Sequence, residues 1–383
     1  MTSLPVPSAA ALEHSAQLIQ AIRDEITAQG GWISFARYME LALYAPGLGY
    51  YSAGAMKFGP GGDFVTAPEI SPLFARTLAR QAAQVLQTTH GDILELGAGT
   101  GRLAGQMLLE LQRQASLPQR YCILEVSAHL RLVQHETLSA LLPPELLRRV
   151  EWLETLPDAF SGFICGNEVL DALPVHLLQG GADGVQERGV VWEGEGFAWA
   201  ERPLKEGILH ATATILDLPA GYVSEVCLAL PALIKSLSTM LQQGVVLFID
   251  YGFPRREYYH PQRTSGTLMC HYRQLAHDDP FFHPGLQDIT AHVDFTAAAE
   301  AAVAQGLEIL GYTTQAHFLI NCGITELLAE ISPHDMAAYL PQVTQVQKLL
   351  SPAEMGELFK VIAFGRGMAP LPGFAQGDKT HTL

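Results

Sequence analysis

Asp92-Ile-Leu-Glu-Leu-Gly-Ala-Gly-Thr-Gly-Arg102 is the stretch on which the reading of the fold turns. A short apolar, strand-like run leads directly into Gly97, Gly99 and Gly101, and a helix-like stretch from Leu103 to Gln114 follows. Strand, glycine loop and helix in that order present a nucleotide at the edge of an α/β sheet. The spacing then selects the nucleotide. A dinucleotide loop of the form G-x-G-x-x-G would need its third glycine at position 102, where this chain has Arg102.

The pattern present is E-x-G-x-G-x-G, with Glu95 two residues ahead of Gly97. It predicts S-adenosylmethionine as cofactor. That molecule has no pyrophosphate to seat on a helix N-terminus. It carries an ammonium and a sulfonium, so an acid beside the loop is useful. Gly97, Ala98, Gly99 and Gly101 are expected to bring their backbone close to the ligand. A second apolar strand, Tyr121-Cys-Ile-Leu-Glu-Val-Ser127, ends near Glu125. An acid at that place reaches the ribose hydroxyls of a bound nucleoside. The competing interpretation is an ordinary tight turn with Glu125 solvated. Strand, helix and acid together favour the nucleoside.

Outward from this stretch, strands are expected near 92–97, 121–126, 150–155, 162–167 and 244–250, with helices near 101–114 and 128–141. This is an α/β chain with a doubly wound, Rossmann-like sheet. Residues 175–205 alternate and are glycine-rich, which suggests a small antiparallel insertion, followed by a helix over 225–243. Residues 253–295 look irregular. A helix from Thr296 to Gln305, a strand from Leu307 to Thr314, helical character over 323–352 and a strand from Leu358 to Phe364 complete the sheet. Upstream, helices are expected over 10–29 and from Ile33 to Leu43. A glycine-rich stretch with Tyr44, Tyr50, Tyr51 and Phe58 follows, which predicts a functional loop. A helix starts at Ser71-Pro72, a favourable N-cap followed by a favourable first residue. The domain expectation is therefore N-terminal helices and lid over 1–90, a core over 91–174 and 244–367 with excursions at 253–295 and 323–352, an insertion over 175–243, and a loose tail over 368–383.

The formal charge of −16 argues against a nucleic-acid backbone as partner, which needs a basic face. It suits a cationic protein segment. Cys122, Cys165, Cys227, Cys270 and Cys322 are dispersed with no C-x-x-C pair, which suggests reduced thiols in a cytoplasmic protein rather than disulfides or zinc. No apolar run is long enough for a membrane span, and no signal or transit pattern opens the chain.

Five segments together carry a family resemblance: Asp63-Phe64-x-Thr66-Ala67-Pro68-Glu69, the loop Glu95 to Gly101, Gly166-Asn-Glu-Val-Leu-Asp-Ala-Leu-Pro174, Ile249-Asp-Tyr-Gly252, and Asp288-Ile-Thr-Ala-His-Val-Asp-Phe295. The chain resembles the MidA family of methyltransferases over roughly residues 15–367. The resemblance implies a class I methyltransferase fold with S-adenosylmethionine as methyl donor. Mitochondrial members of that family are complex I assembly factors that methylate an arginine, so it also implies a protein substrate.

An arginine acceptor needs help, because guanidinium is always charged and a poor nucleophile. A carboxylate can hold it bidentately. Glu168 follows the fourth strand, at the carboxyl end where such sheets place substrates, and is the first candidate for this role; the alternative is a turn carboxylate. Asp171 and His292 are the further catalytic candidates, His292 as a substrate contact or proton acceptor, or else a structural histidine. Asn167, Phe64 and Thr66 are assigned to the cofactor side, with the Tyr44–Asp63 loop as lid and its aromatics over adenine or sulfonium, or packing the N-terminal helices. His271, His277 and His283 do not match metal-ligand spacing, and no metal is expected. The stripe Leu327, Leu328, Ile331 and Met336 suggests core, or a homodimer contact. The function expected is methylation of a protein side chain, arginine first. The alternatives are a small-molecule O- or N-methyltransferase, and an assembly chaperone that binds the cofactor with little catalysis.

Overall fold

The glycine loop lies where the order of the central sheet reverses. In the computed structural model, which describes residues 4–53 and 65–383, seven strands carry this sheet. They are β1 (Asp92–Leu96), β2 (Tyr121–Leu124), β3 (Val150–Leu153), β4 (Phe160–Asn167), β5 (Leu241–Phe253), β6 (Glu308–Thr314) and β7 (Phe359–Arg366). Their order is β6-β7-β5-β4-β1-β2-β3, with the short strand Val293–Asp294 added beside β5. β1 to β5 pair in parallel, and β7 runs antiparallel to both β5 and β6. From β1 the chain moves to β2 and β3 on one side, then crosses to β4 on the other. That reversal opens a crevice at the carboxyl ends of β1 and β4. β4 and β5 are buried along most of their length, which is why Phe163-Ile-Cys165 and Val245-Val-Leu-Phe-Ile249 are apolar runs rather than alternating ones.

The chain forms two compact units. The one holding the sheet comprises Val65–Leu170, Leu233–Pro254 and Val293–Leu383. Its core joins Phe74 and Leu78 of α1 (Pro72–Thr89) and Leu108 of α2 (Arg102–Arg113) to Phe163, Leu247 and Val361 of the sheet. Helix α3 (Ala128–Leu141) follows β2, capped by the Ser127 hydroxyl, which accepts from Leu130 N at 3.3 Å. The sequence expectation groups 65–90 with the N-terminal helices, whereas α1 belongs to the sheet unit because its buried face packs on that core.

The other unit comprises the N-terminal residues through 64, Asp171–Ala232 and Arg255–His292. Its antiparallel sheet orders Ile33–Ser34, Gly184–Glu193, His176–Gly181 and Val223–Val226, with Gly196–Pro203 beside Gly184–Glu193. Leu18, Ile22 and Ile26, one face of the helix Ala9–Ala28, are buried in its core with Phe35, Tyr38 and Val190. The stretch expected to be irregular, 253–295, instead contains three antiparallel strands, Met269–Tyr272, Leu275–His277 and Asp288–Thr290. They are too short for period-2 alternation to show in the sequence.

The tail also differs from expectation. Residues 368–383 are anchored at points rather than loose, with Leu371 and Phe374 buried. Lys379 N donates to Tyr312 O at 2.6 Å, Tyr312 N to Asp378 Oδ1 at 3.1 Å, and Thr313 Oγ1 to Gly377 O at 2.6 Å. β6 is the edge of the sheet, and the tail supplies partners to its open backbone groups.

Candidate active site

The loop after β1 is built from left-handed backbone. Gly97, Gly99 and Gly101 have φ of +64°, +52° and +85°, a region in which side chains are strained. Gly101 caps α2 without a side-chain bond. A Cβ there would come within 3.3 Å of Gln134 on α3. Ala98 is buried within the loop.

Gln134 ties this edge together. Its Nε2 donates to Gly99 O and to Glu125 Oε2, both at 3.0 Å, and its Oε1 accepts from Trp152 Nε1 at 2.9 Å. Glu125 Oε1 accepts from Ser127 N at 2.9 Å. Burial pushes the Glu125 carboxyl up, while the bonds from Ser127 and Gln134 and the charge of Arg131 oppose that rise. Glu95 lies deeper, 2 % exposed, and accepts from Tyr121 Oη at 2.7 Å. Burial pushes its carboxyl up to about 7; the Tyr121 bond works against this and the Glu125 charge adds to it. On the other side of the loop, Glu69 accepts from the Thr100 hydroxyl and pairs with Arg102 Nε at 3.0 Å. Thr66 caps the short helix Ala67–Ile70 by position alone. Phe64 lies outside the described residues.

The second edge is the turn after β4. Leu96 and Gly166 are register partners, so Gly97 and Asn167 leave adjacent strands side by side. A Cβ on Gly97 would stand 3.3 Å from Val169 Cγ2. Glu168 has φ +54°, a left-handed conformation that costs a non-glycine residue about 1–3 kcal/mol. Three bonds hold it. Glu168 N donates to Ile249 O at 2.9 Å, and Val169 N and Leu170 N donate to Asp250 Oδ2 at 3.1 and 2.8 Å. Asp250, on β5, is fully buried, and its Oδ1 accepts from Tyr251 N at 3.0 Å. Asn167 Nδ2 donates to Glu168 Oε1 at 3.2 Å.

Asp171 and His292 belong to the other unit. There Ala291 N donates to Asp171 O at 3.0 Å, and His292 N to Thr267 Oγ1 at 3.1 Å. Thr267 is anchored on buried Glu225, whose Oε1 accepts from Thr267 N at 2.8 Å. Tyr51 Oη donates to Asp288 at 3.0 and 3.1 Å, Tyr44 stacks on Tyr51 at 5.5 Å, and Tyr50 is 2 % exposed. These contacts of Tyr44, Tyr50 and Tyr51 lie within their own unit.

The structure thus brings Glu95, Gly97, Ala98, Gly99, Gly101, Glu125, Asn167 and Glu168 to the carboxyl end of one sheet. Sequence spacing missed Gln134 and gave Asp250 no role. Ile249-Asp-Tyr-Gly252 does flag Asp250, but only the fold shows which backbone groups it accepts. The residues present fit the predicted cofactor. A loop without side chains at three positions lies beside a buried acid at the end of β2, and the side-chain amide oxygen of Asn167, Oδ1, is buried with no donor among the described residues.

Comparison with known proteins gives the same picture. Residues 77–313 match the family model described as "Putative S-adenosyl-L-methionine-dependent methyltransferase". The chain is 29 % identical over 376 residues to "Protein arginine methyltransferase NDUFAF7, mitochondrial" of Danio rerio, covering 90 % of this chain and 85 % of that protein. It is 30 % identical to the Bos taurus protein of the same name, covering 87 % and 80 %. A Burkholderia thailandensis protein crystallised bound to S-adenosyl-homocysteine is 53 % identical, with a TM-score of 0.96 and all of both chains covered. The described residues contain no helix long and apolar enough to cross a membrane. Glycine loop, sheet order and these matches agree: the chain belongs to this family of S-adenosyl-L-methionine-dependent methyltransferases.

Proposed function

We propose that the chain methylates a nitrogen of a protein side chain, with arginine as the acceptor. The observation that carries this is Glu168, a carboxylate held in a left-handed turn at the carboxyl end of β4. The name of the curated relatives, protein arginine methyltransferase, supports the same reading. S-adenosylmethionine, when bound, supplies the methyl group from its sulfonium and leaves as S-adenosylhomocysteine, while the attacking guanidinium nitrogen gives up one proton to water. Gly97, Ala98, Gly99 and Gly101 would hold it by backbone, and Glu125 would take the ribose hydroxyls. Thr66 and Glu95 would shape the surrounding wall, Glu95 from beneath. Glu168 would accept N–H bonds from the guanidinium and draw its positive charge towards the nitrogens that do not attack. Orientation of this kind lowers the barrier without covalent chemistry by the enzyme. Unbridged thiols at all five cysteines support a cytoplasmic setting.

The test is incubation of a cell extract with the pure protein and S-adenosylmethionine labelled in its methyl group. Label in one polypeptide, recovered as methylarginine after hydrolysis, is the expected result. Label in a small molecule would replace the reading with a small-molecule methyltransferase, and no label would leave a cofactor-binding chaperone.

A further inference from the structure

The side chain of Asn167 has two ends with different circumstances. Its Nδ2 donates to Glu168 Oε1 at 3.2 Å. That bond fixes which way the amide points, since the flipped form would set a carbonyl oxygen against a carboxylate oxygen. The opposite end, Oδ1, is buried, and no donor among the described residues reaches it. Buried carbonyl oxygens are nearly always paired. This one lies on the crevice at the sheet's reversal, one residue past the Leu96–Gly166 register pair and so beside Gly97.

We propose that Asn167 Oδ1 accepts an N–H from a charged nitrogen of a bound ligand while Nδ2 holds the Glu168 carboxylate in place. An amide oxygen can only accept, so the ligand group must donate. The neighbouring carboxylate favours a cationic donor over a neutral one. Two nitrogens have this chemistry, the α-ammonium of the methyl donor and the guanidinium of the acceptor. The inference rests on the methyl-transfer reading above.

The probes are S-adenosylhomocysteine, 5′-methylthioadenosine, which lacks the amino-acid end, and N-acetyl-arginine amide titrated into the S-adenosylhomocysteine complex. Each is measured by calorimetry on wild type, Asn167→Leu and Asn167→Asp, with thermal melts to confirm folding. Asn167→Leu keeps the shape and removes both polar ends. It is expected to weaken one charged ligand by about 10- to 100-fold, the scale of a hydrogen bond to a charged group, and to leave 5′-methylthioadenosine unchanged. Loss on S-adenosylhomocysteine assigns the ammonium, and loss on the arginine amide alone assigns the acceptor. Asn167→Asp, which keeps an accepting oxygen, should bind the same ligand within about threefold of wild type. Equal binding of all three probes by wild type and Asn167→Leu, or a parallel loss of 5′-methylthioadenosine, overturns the inference and makes Asn167 a turn residue. Failure of the wild type to bind S-adenosylhomocysteine would instead overturn the methyl-transfer reading, so the two failures are distinguishable.

Discussion

Two edges of one sheet solve the problem of a sharp turn differently. After β1 the left-handed positions are glycines, and the loop is stitched to Glu125 through Gln134. After β4 a left-handed position is filled by Glu168, and the turn is held by the carboxylate of Asp250, 80 residues away on β5. Glycine makes the first turn without steric cost. The second accepts strain and keeps a carboxylate there. The difference fits the division of labour proposed above. In the function proposed above, the first edge would present backbone to the methyl donor and the second a carboxylate to the acceptor.

The largest effect that could break this contrast is on stability at Asp250. Asp250→Ala leaves the half-buried N–H of Val169 and the buried N–H of Leu170 without this acceptor. Unfolding free energy should fall by about 4 kcal/mol, at about 1–3 kcal/mol for each unsatisfied donor. Asp250→Asn, which retains an acceptor oxygen, should lose less than half of that in urea denaturation. A loss below about 1 kcal/mol for alanine would mean the turn holds itself.

Glu95 gives the next effect, on the donor edge. The folded chain keeps its proton until about pH 7, whereas the unfolded chain releases it near the ordinary 4.5. Between those values the unfolded state binds fewer protons, so this group makes stability fall as pH rises from 4.5 to 7, by about 3 kcal/mol in all. Glu95→Gln should flatten that part of the profile and be the more stable protein at pH 8. Parallel profiles for the two proteins in denaturant melts from pH 4.5 to 8 would contradict it.

A smaller effect separates the edges by ligand. Glu125→Ala should weaken S-adenosylhomocysteine by about 1–3 kcal/mol, the range of a charge-assisted hydrogen bond. An analogue lacking both ribose hydroxyls should bind mutant and wild type alike in calorimetry. The smallest effect has the opposite sign. Glu168→Gly should relieve the left-handed strain and stabilise the protein by about 1 kcal/mol, seen as a higher melting temperature, while methylation is lost. A lower melting temperature would mean that Glu168 is there for stability.

These edges also differ in how much of them the sequence displays. Glu95, the three glycines and Glu125 stand at strand ends in spacings that follow from local geometry, and the fold places them at one edge of the sheet. The order of β1 to β5 follows from alternating apolar runs and helices. Asp250 and Gln134 were not legible as contacts, because each acts across a gap that only tertiary packing closes. The strands at Met269–Tyr272, Leu275–His277 and Asp288–Thr290 are three or four residues long, too short for alternation to register. The tail reads as loose because Leu371 and Phe374 stand among Pro370, Pro372 and Gly373, which allow no helix or strand period, and their burial depends on an edge strand that the sequence does not mark as open.

The central claim is that the β4 edge serves the acceptor and the β1 edge the donor. Glu168→Gln keeps the shape of the side chain and removes its charge, so it tests this most directly. Donor calorimetry and single-turnover methylation are measured on the same preparation, with the polypeptide identified by methyl labelling as substrate. Donor affinity should stay within about twofold of wild type while the methylation rate falls about 100-fold or more, the scale of one preorganised electrostatic contact. Equal losses in both would place Glu168 in the donor pocket. No loss in either would make it a turn residue and pass the role to Asp171 or His292.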